Sequence, residues 1–181
     1  MADQIVDACS LINLYASGRV QAIIPACGGH SYVSEQVRNE SVSIRKVDPA
    51  DTSILIPSLI NLLPEISNGL IKECRLETKE EIESYVNFAI EVDDGEASCL
   101  AIAMSRKWMI ATDDRKAIRL ASESGIAVIT TPELIERWAK ATSASDEEVR
   151  QTIRAIERFA RFRPRRSNPL HDWWTSMITL D

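Results

Sequence analysis

The chain has 181 residues, 45% of them hydrophobic and 27% charged, with a formal net charge of −6. Such a chain buries one full core with a small appendage, and an acidic body repels nucleic acid at long range unless local cations or metal draw it in. No apolar run nears the roughly 18 residues of a membrane span, and the start MADQIVDACSLINLY lacks the basic segment of a signal peptide. A cytoplasmic protein without membrane contact is therefore expected. Cys9, Cys27, Cys74 and Cys99 show no C-x-x-C spacing, which drops zinc knuckles and redox pairs in favour of reduced thiols.

Residues 4–8 read as a short buried strand, and SLINLYASG as a helix whose Leu11, Ile12, Leu14 and Tyr15 suit inward packing before Gly18 ends it. The stretch RVQAIIPA is a second helix, broken around Pro25 and the Gly28-Gly29 pair. HSYV then reads as a strand and SEQVRNE as a helical turn beginning at Ser34 and carrying Glu40. Residues 52–76, cut by Pro57 and Pro64, read either as broken helices or as a mixture of strand and helix. KEEIESYVNFAIEV is amphipathic. DDGEASCLAIAMSRKW follows as a central helix, since Ala97, Leu100, Ala101 and Met104 recur at helical spacing among small residues.

WMIAT and IAVIT, separated by the helical DDRKAIRLASESG, predict strand, helix and strand with a right-handed crossover in a mostly parallel sheet. Thr131 and Pro132 supply the N-cap and first-turn proline of PELIERWAKA, and TSASD reads as a linker. Ser145 and Glu148 have capping-box spacing for a last long helix with Val149, Ile153, Ile156 and Ala160 on one stripe. Arg150, Arg154, Arg158 and Arg161 populate another face, and, with Arg163, Arg165 and Arg166, residues 149–171 hold seven arginines against a single acid, Glu157. Trp173 and Trp174 could anchor this tail on the body or on a partner. The expected division is a body over 1–143 and a basic helical arm over 144–181.

Asp7, Glu96 and the Asp113-Asp114 pair stand where strands end or helices begin, and Glu40 stands in a helical turn. Each has an ordinary explanation, as an N-cap, as half of the D-x-x-E capping box of Asp93 and Glu96, or as a solvated charge. Their shared placement speaks for a site, because ligands of open parallel sheets gather beyond the carboxyl ends of strands. Carboxylates crowded there repel by about 3 kcal/mol per pair at about 5 Å in an effective dielectric near 20, so the cluster needs a divalent cation or trapped protons. All-oxygen ligation selects magnesium or manganese over zinc.

The succession IVDACSLINL, VSEQVRNE, DDGEASCLAIA and ATDDRKAIRLA resembles the PIN-domain family, including its bacterial members similar to VapC toxins, over roughly residues 4–140. The resemblance implies a three-layer α/β/α fold with a parallel central sheet and a magnesium- or manganese-dependent ribonuclease. It carries the acidic quartet to Asp7, Glu40, Glu96 and one of the neighbouring aspartates. The family's T-x-D spacing selects Asp114 after Thr112, with Asp113 open as the alternative, so Asp7, Glu96, Asp113 and Asp114 are the candidate metal ligands. The sequence departs from many toxin-like members in having glutamate in GEA where they have aspartate, and in its C-terminal arm. Arg154, Arg158 and Arg161 of that arm, interleaved with Phe159 and Phe162, are candidate RNA contacts, against a plain solvated helix face. RNA, an antitoxin protein and a second copy of the chain are the partners to consider. The rival reading is a non-catalytic interaction protein whose acidic pocket receives a basic segment of a partner.

Overall fold

The computed structural model describes residues 2–40 and 42–179. Its centre is a five-stranded, all-parallel sheet in the order β5-β2-β1-β6-β7, formed by β1 (Gln4–Val6), β2 (Ser31–Ser34), β5 (Ile71–Cys74), β6 (Met109–Ala111) and β7 (Val128–Ile129). Strands buried on both faces need no alternation of polar and apolar residues, and Ile5, Val6, Ile110 and Ala111 are fully buried. The order places β1 at the topological switch point. The chain leaves it for β2 on one side and returns to β6 on the other, so a crevice opens at the carboxyl ends of β1 and β6.

Helices cover both faces, giving a three-layer α/β/α architecture. One layer is built around α6 (Asp94–Arg106), which packs on β1, β2 and β6 and against α3 (Glu35–Asn39), α5 (Lys79–Phe88) and α7 (Arg115–Glu123). Nearly every residue of α6 from Gly95 to Ala103 is buried, as a helix rich in Ala, Ser and Cys allows when it lies flat on a sheet. The other layer groups α1 (Ala8–Ala16), α2 (Val20–Ala26), α8 (Thr131–Thr142) and α9 (Asp146–Phe159). Among the described residues, no helix is long and apolar enough to cross a membrane.

Residues 52–76 are the mixture of strand and helix, made of β4 (Leu55–Leu59), α4 (Leu63–Ser67) and β5. A strand that the sequence does not announce, β3 (Ser43–Val47), pairs antiparallel with β4 in a separate two-stranded ribbon. Pro57 is tolerated there because a two-stranded ribbon has only edge strands. Three boundaries move. Asp7 caps α1 instead of ending β1, Glu40 lies in extended backbone just past α3, and Thr130 rather than Thr131 caps α8 through a capping box with Glu133.

The C-terminal segment joins the same core. Val149, Ile153 and Ile156 of α9 are buried beside the sheet-facing residues, and Trp174 of α10 (His171–Thr179) is wholly enclosed. Phe162 meets the Trp174 ring edge-on at 5.7 Å, and Trp174 Nε1 donates to Glu157 Oε1 at 3.0 Å.

Candidate active site

Asp7 follows directly on β1, and its backbone N–H still donates to Ala111 O of β6 at 3.1 Å. Its side chain then turns to the first turn of α1, where Oδ1 accepts from Ser10 N at 2.8 Å. Asp7 is only 1% exposed, and burial raises its carboxyl above the usual range, opposed by bonds from Thr112, Ser10 and Cys9. The Cys9 thiol lies 3.2 Å from both Asp7 oxygens. Burial, then the charges of Asp7 and Asp113, push that thiol far up and keep it a neutral donor.

The same crevice receives the end of β6. Asp113 takes Thr131 N on Oδ1 at 3.0 Å, and both Asn13 Nδ2, at 3.0 Å, and the Thr131 hydroxyl on Oδ2. Asn13 is itself buried and also donates to Thr131 Oγ1, so Asp113 ties α1 to the start of α8. Burial pushes its carboxyl up to about 6. Asp114 caps α7, with Oδ1 accepting from Lys116 N at 2.7 Å and Ala117 N at 3.0 Å. Oδ2 is left without a partner among the described residues.

Glu96 comes from the first turn of α6, which Asp93 caps at 2.9 Å. Its carboxyl is pushed up to about 7, by burial first and then by Asp114, Asp93, Asp7 and Glu40. Glu40 is likewise pushed up to about 7 by burial, followed by Asp93, Asp7 and Asp94. Glu96 and Glu40 thus feel nearby acids, and none of Asp7, Glu40, Glu96, Asp113 and Asp114 forms an ion pair with a cation among the described residues. Gly95 makes the convergence possible: a Cβ built on it would stand 1.8 Å from Glu40 Oε1. No spacing signals the close approach at Gly95, and Asp93, which the D-x-x-E spacing marks as a cap, also adds charge beside Glu40 and Glu96.

Glu96, Asp113 and Asp114 line a cleft of about 610 Å3, whose other wall comes from the segment after α9. Of the candidate RNA contacts only Arg161 lines it. Arg154 reaches Ile178 O of α10 at 3.3 Å, and Arg158 lies over the Phe159 ring at 5.2 Å.

The donor set is of the kind a hard divalent ion takes: the groups are carboxylates, and no cation pairs with them among the described residues. No group of three or more His, Cys, Asp and Glu side chains among the described residues is arranged to hold a metal as it stands. Asp7, Asp113 and Asp114 each have an oxygen turned to backbone N–H groups.

The fold and site define a three-layer α/β/α domain with acids at the switch point of a parallel sheet. A family model described as "DUF3368: PIN domain" matches residues 3–167, and the chain belongs to the PIN-domain family. PIN domains are generally nucleases and typically use divalent metals. The match extends through α9 and the segment after it, beyond the body expected at 1–143. No curated protein and no solved structure matches the chain.

Proposed function

We propose that this PIN domain is a magnesium- or manganese-dependent endoribonuclease that hydrolyses phosphodiester bonds. The observation that carries the reading is that Glu96 lines one cleft with Asp113 and Asp114, and that the Glu96 and Glu40 carboxyls are both raised by burial and by acids of other elements, Asp7 and Asp93 among them, with no ion pair to a cation among the described residues. Structural caps alone give no reason to hold ionised acids near one another, which costs about 3 kcal/mol for a pair about 5 Å apart in an effective dielectric near 20. Asp7, Glu96 and Asp114 would hold the ion, with Asp113 behind them fixing the end of β6 and open as a further ligand. A bound divalent ion supplies positive charge to the phosphate and lowers the pKa of an attacking water.

Glu40, which does not line the cleft that Glu96 and Asp114 share, is assigned a role outside the ligand set. Like Glu96 it makes no side-chain hydrogen bond among the described residues and has a carboxyl pushed up to about 7, which suits it to orient the water and accept its proton. The half-buried Cys9 thiol and the buried Asn13 amide keep Asp7 and Asp113 in place without changing charge. No covalent intermediate on the enzyme is required.

The rival use of the same acids is to receive a basic segment of a protein partner. The toxin of a toxin-antitoxin pair would combine both, cleaving RNA until an antitoxin's cations fill the crevice. A neighbouring gene for a small DNA-binding antitoxin would support that narrower role. The deciding experiment is cleavage of a mixed RNA pool with and without manganese, with Asp7→Asn as control. Metal-dependent cleavage lost in Asp7→Asn supports the nuclease. Intact RNA under all metal conditions leaves the interaction protein.

A further inference from the structure

The basic C-terminal segment divides its arginines into two groups. Arg163 is held by Glu157, with Nε to Oε1 at 2.8 Å and Nη2 to Oε2 at 2.7 Å, and Glu157 also receives the buried Trp174 indole. That arginine is part of the packing. Arg161 and Arg165 line the acidic cleft, are exposed, and make no ion pair or side-chain hydrogen bond among the described residues. Arg115, next to Asp114, lines the same cleft in the same unpaired state.

The segment that carries them is fixed in place. Arg161 has a φ of 58°, the left-handed turn that redirects the chain after α9. Pro164 is buried and its carbonyl accepts from His171 Nδ1 at 2.9 Å, while Asn168 Nδ2 donates to Thr130 Oγ1 at 3.3 Å. Unpaired guanidinium groups on an anchored backbone, beside an acidic centre that by itself repels polyanions, are suited to one kind of ligand. It must bring several negative charges and pass one of them to the acids.

We propose that Arg161 and Arg165, with Arg115, form a phosphate clamp that grips the RNA backbone on either side of the bond presented to the acidic centre. The substrate class rests on the nuclease reading above; the clamp itself is a binding site and is measurable without cleavage. Guanidinium groups suit the task because their planar forks pair with phosphate oxygens and stay charged at every working pH. A cleft of about 610 Å3 falls within the roughly 300–1,000 Å3 of small-molecule sites, which is room for a short single-stranded stretch.

The test uses the full chain and a fluorescein-labelled, mixed-sequence single-stranded RNA. Anisotropy is read in EDTA over a range of salt, and manganese-dependent cleavage is read separately. Each lost contact reduces the magnitude of the log-log salt slope by about 0.7, so R161Q/R165Q should lower it by about 1.4 and raise KM roughly tenfold, with kcat at saturating RNA unchanged. R161K/R165K should retain the slope. R119Q, which removes an exposed arginine paired with Glu91 and Glu123 outside the cleft, should keep the slope, which separates a general loss of positive charge from clamp loss.

An unchanged slope and KM in a folded R161Q/R165Q protein would overturn the clamp. So would failure of the wild type to bind RNA, or faster cleavage by the variant, which would make the segment an internal inhibitor. If the double variant loses salt-dependent binding but no metal supports cleavage by the wild type, the clamp stands and the nuclease reading falls.

Discussion

Asp113 and Asp114 are neighbours in sequence with different duties. Asp113 accepts three hydrogen bonds that join β6, α1 and α8, whereas Asp114 puts one oxygen on the α7 cap and leaves the other unengaged near Glu96. Asp114→Asn keeps the capping oxygen and should leave stability nearly unchanged, because asparagine caps about as well as aspartate. Its loss should appear as weakened manganese binding by calorimetry. Asp113→Asn offers one acceptor where two are used and sets an NH2 against buried donors, which should cost about 1–3 kcal/mol in urea unfolding. If Asp113→Asn instead removed metal binding with no loss of stability, the ligand role would belong to it. The T-x-D spacing favours Asp114 in sequence, but the Asn13 and Thr131 contacts of Asp113 span 100 and 18 residues and no local pattern carries them.

Glu40 and Glu96 give the site a pH signature. Both carboxyls are raised from an ordinary 4.5 to about 7, so between these values the folded protein holds protons that the unfolded chain has lost. Metal-free stability from these groups is full below about 4.5 and falls as pH rises through about 7, the reverse of an ion-paired carboxylate. Melting in EDTA should show this decline, and Glu96→Gln should flatten it. A metal-free melting temperature that climbed across the same window in the wild type, with Glu96→Gln following it, would show that the acids are not crowded.

At the level of elements, α6 is where fold and site are joined. Gly95 is a poor helix former, less favourable than alanine by about 1 kcal/mol in a helix interior, and it stands in the first turn directly beneath Glu40. A methyl group there would meet the mobile end of the Glu40 side chain rather than rigid backbone, with Val37 Cγ2 next at 3.3 Å. Gly95→Ala should therefore leave stability within about 1 kcal/mol of wild type while displacing Glu40. Cleavage and the pH response assigned to Glu40 should fall together. Full activity in a well-folded Gly95→Ala protein would remove Glu40 from the mechanism.

The same helix shows why much of the sheet layer was legible in sequence. Small residues at helical spacing, caps such as Asp93 and Ser145, and short apolar runs at 109–111 and 128–129 all point one way. The β3–β4 ribbon was not legible. Its strands SIRKV and LIPSL mix charged, polar and proline residues, and it is stabilised by packing against α1 and α9 from distant parts of the chain. The cleft wall was missed for a related reason: the arginine run was visible, but which of its members pair with Glu157 or with α10 depends on how residues 160–171 fold back.

Across the whole molecule, the C-terminal segment contributes packing to the core and positive charge to the cleft. Val149, Ile153, Ile156 and Trp174 are buried with the residues of the sheet layers, and the Phe162, Trp174, Glu157 and Arg163 group holds the turn that carries Arg161 and Arg165. Removing the segment after Ala144 would expose the surface that α9 covers on α1 and β3, so truncation should give an insoluble or unfolded protein, uninformative about RNA. Trp174→Ala is the measured alternative. Emptying a wholly enclosed indole site should cost about 3–5 kcal/mol in urea unfolding, and it also removes the donor to Glu157. With the turn loosened, RNA affinity should fall along with stability, whereas manganese binding at the acids, at the starts of α1, α6 and α7, should survive wherever the variant is still folded. A folded Trp174→Ala protein with wild-type RNA affinity would show that the arginines act without their anchored backbone.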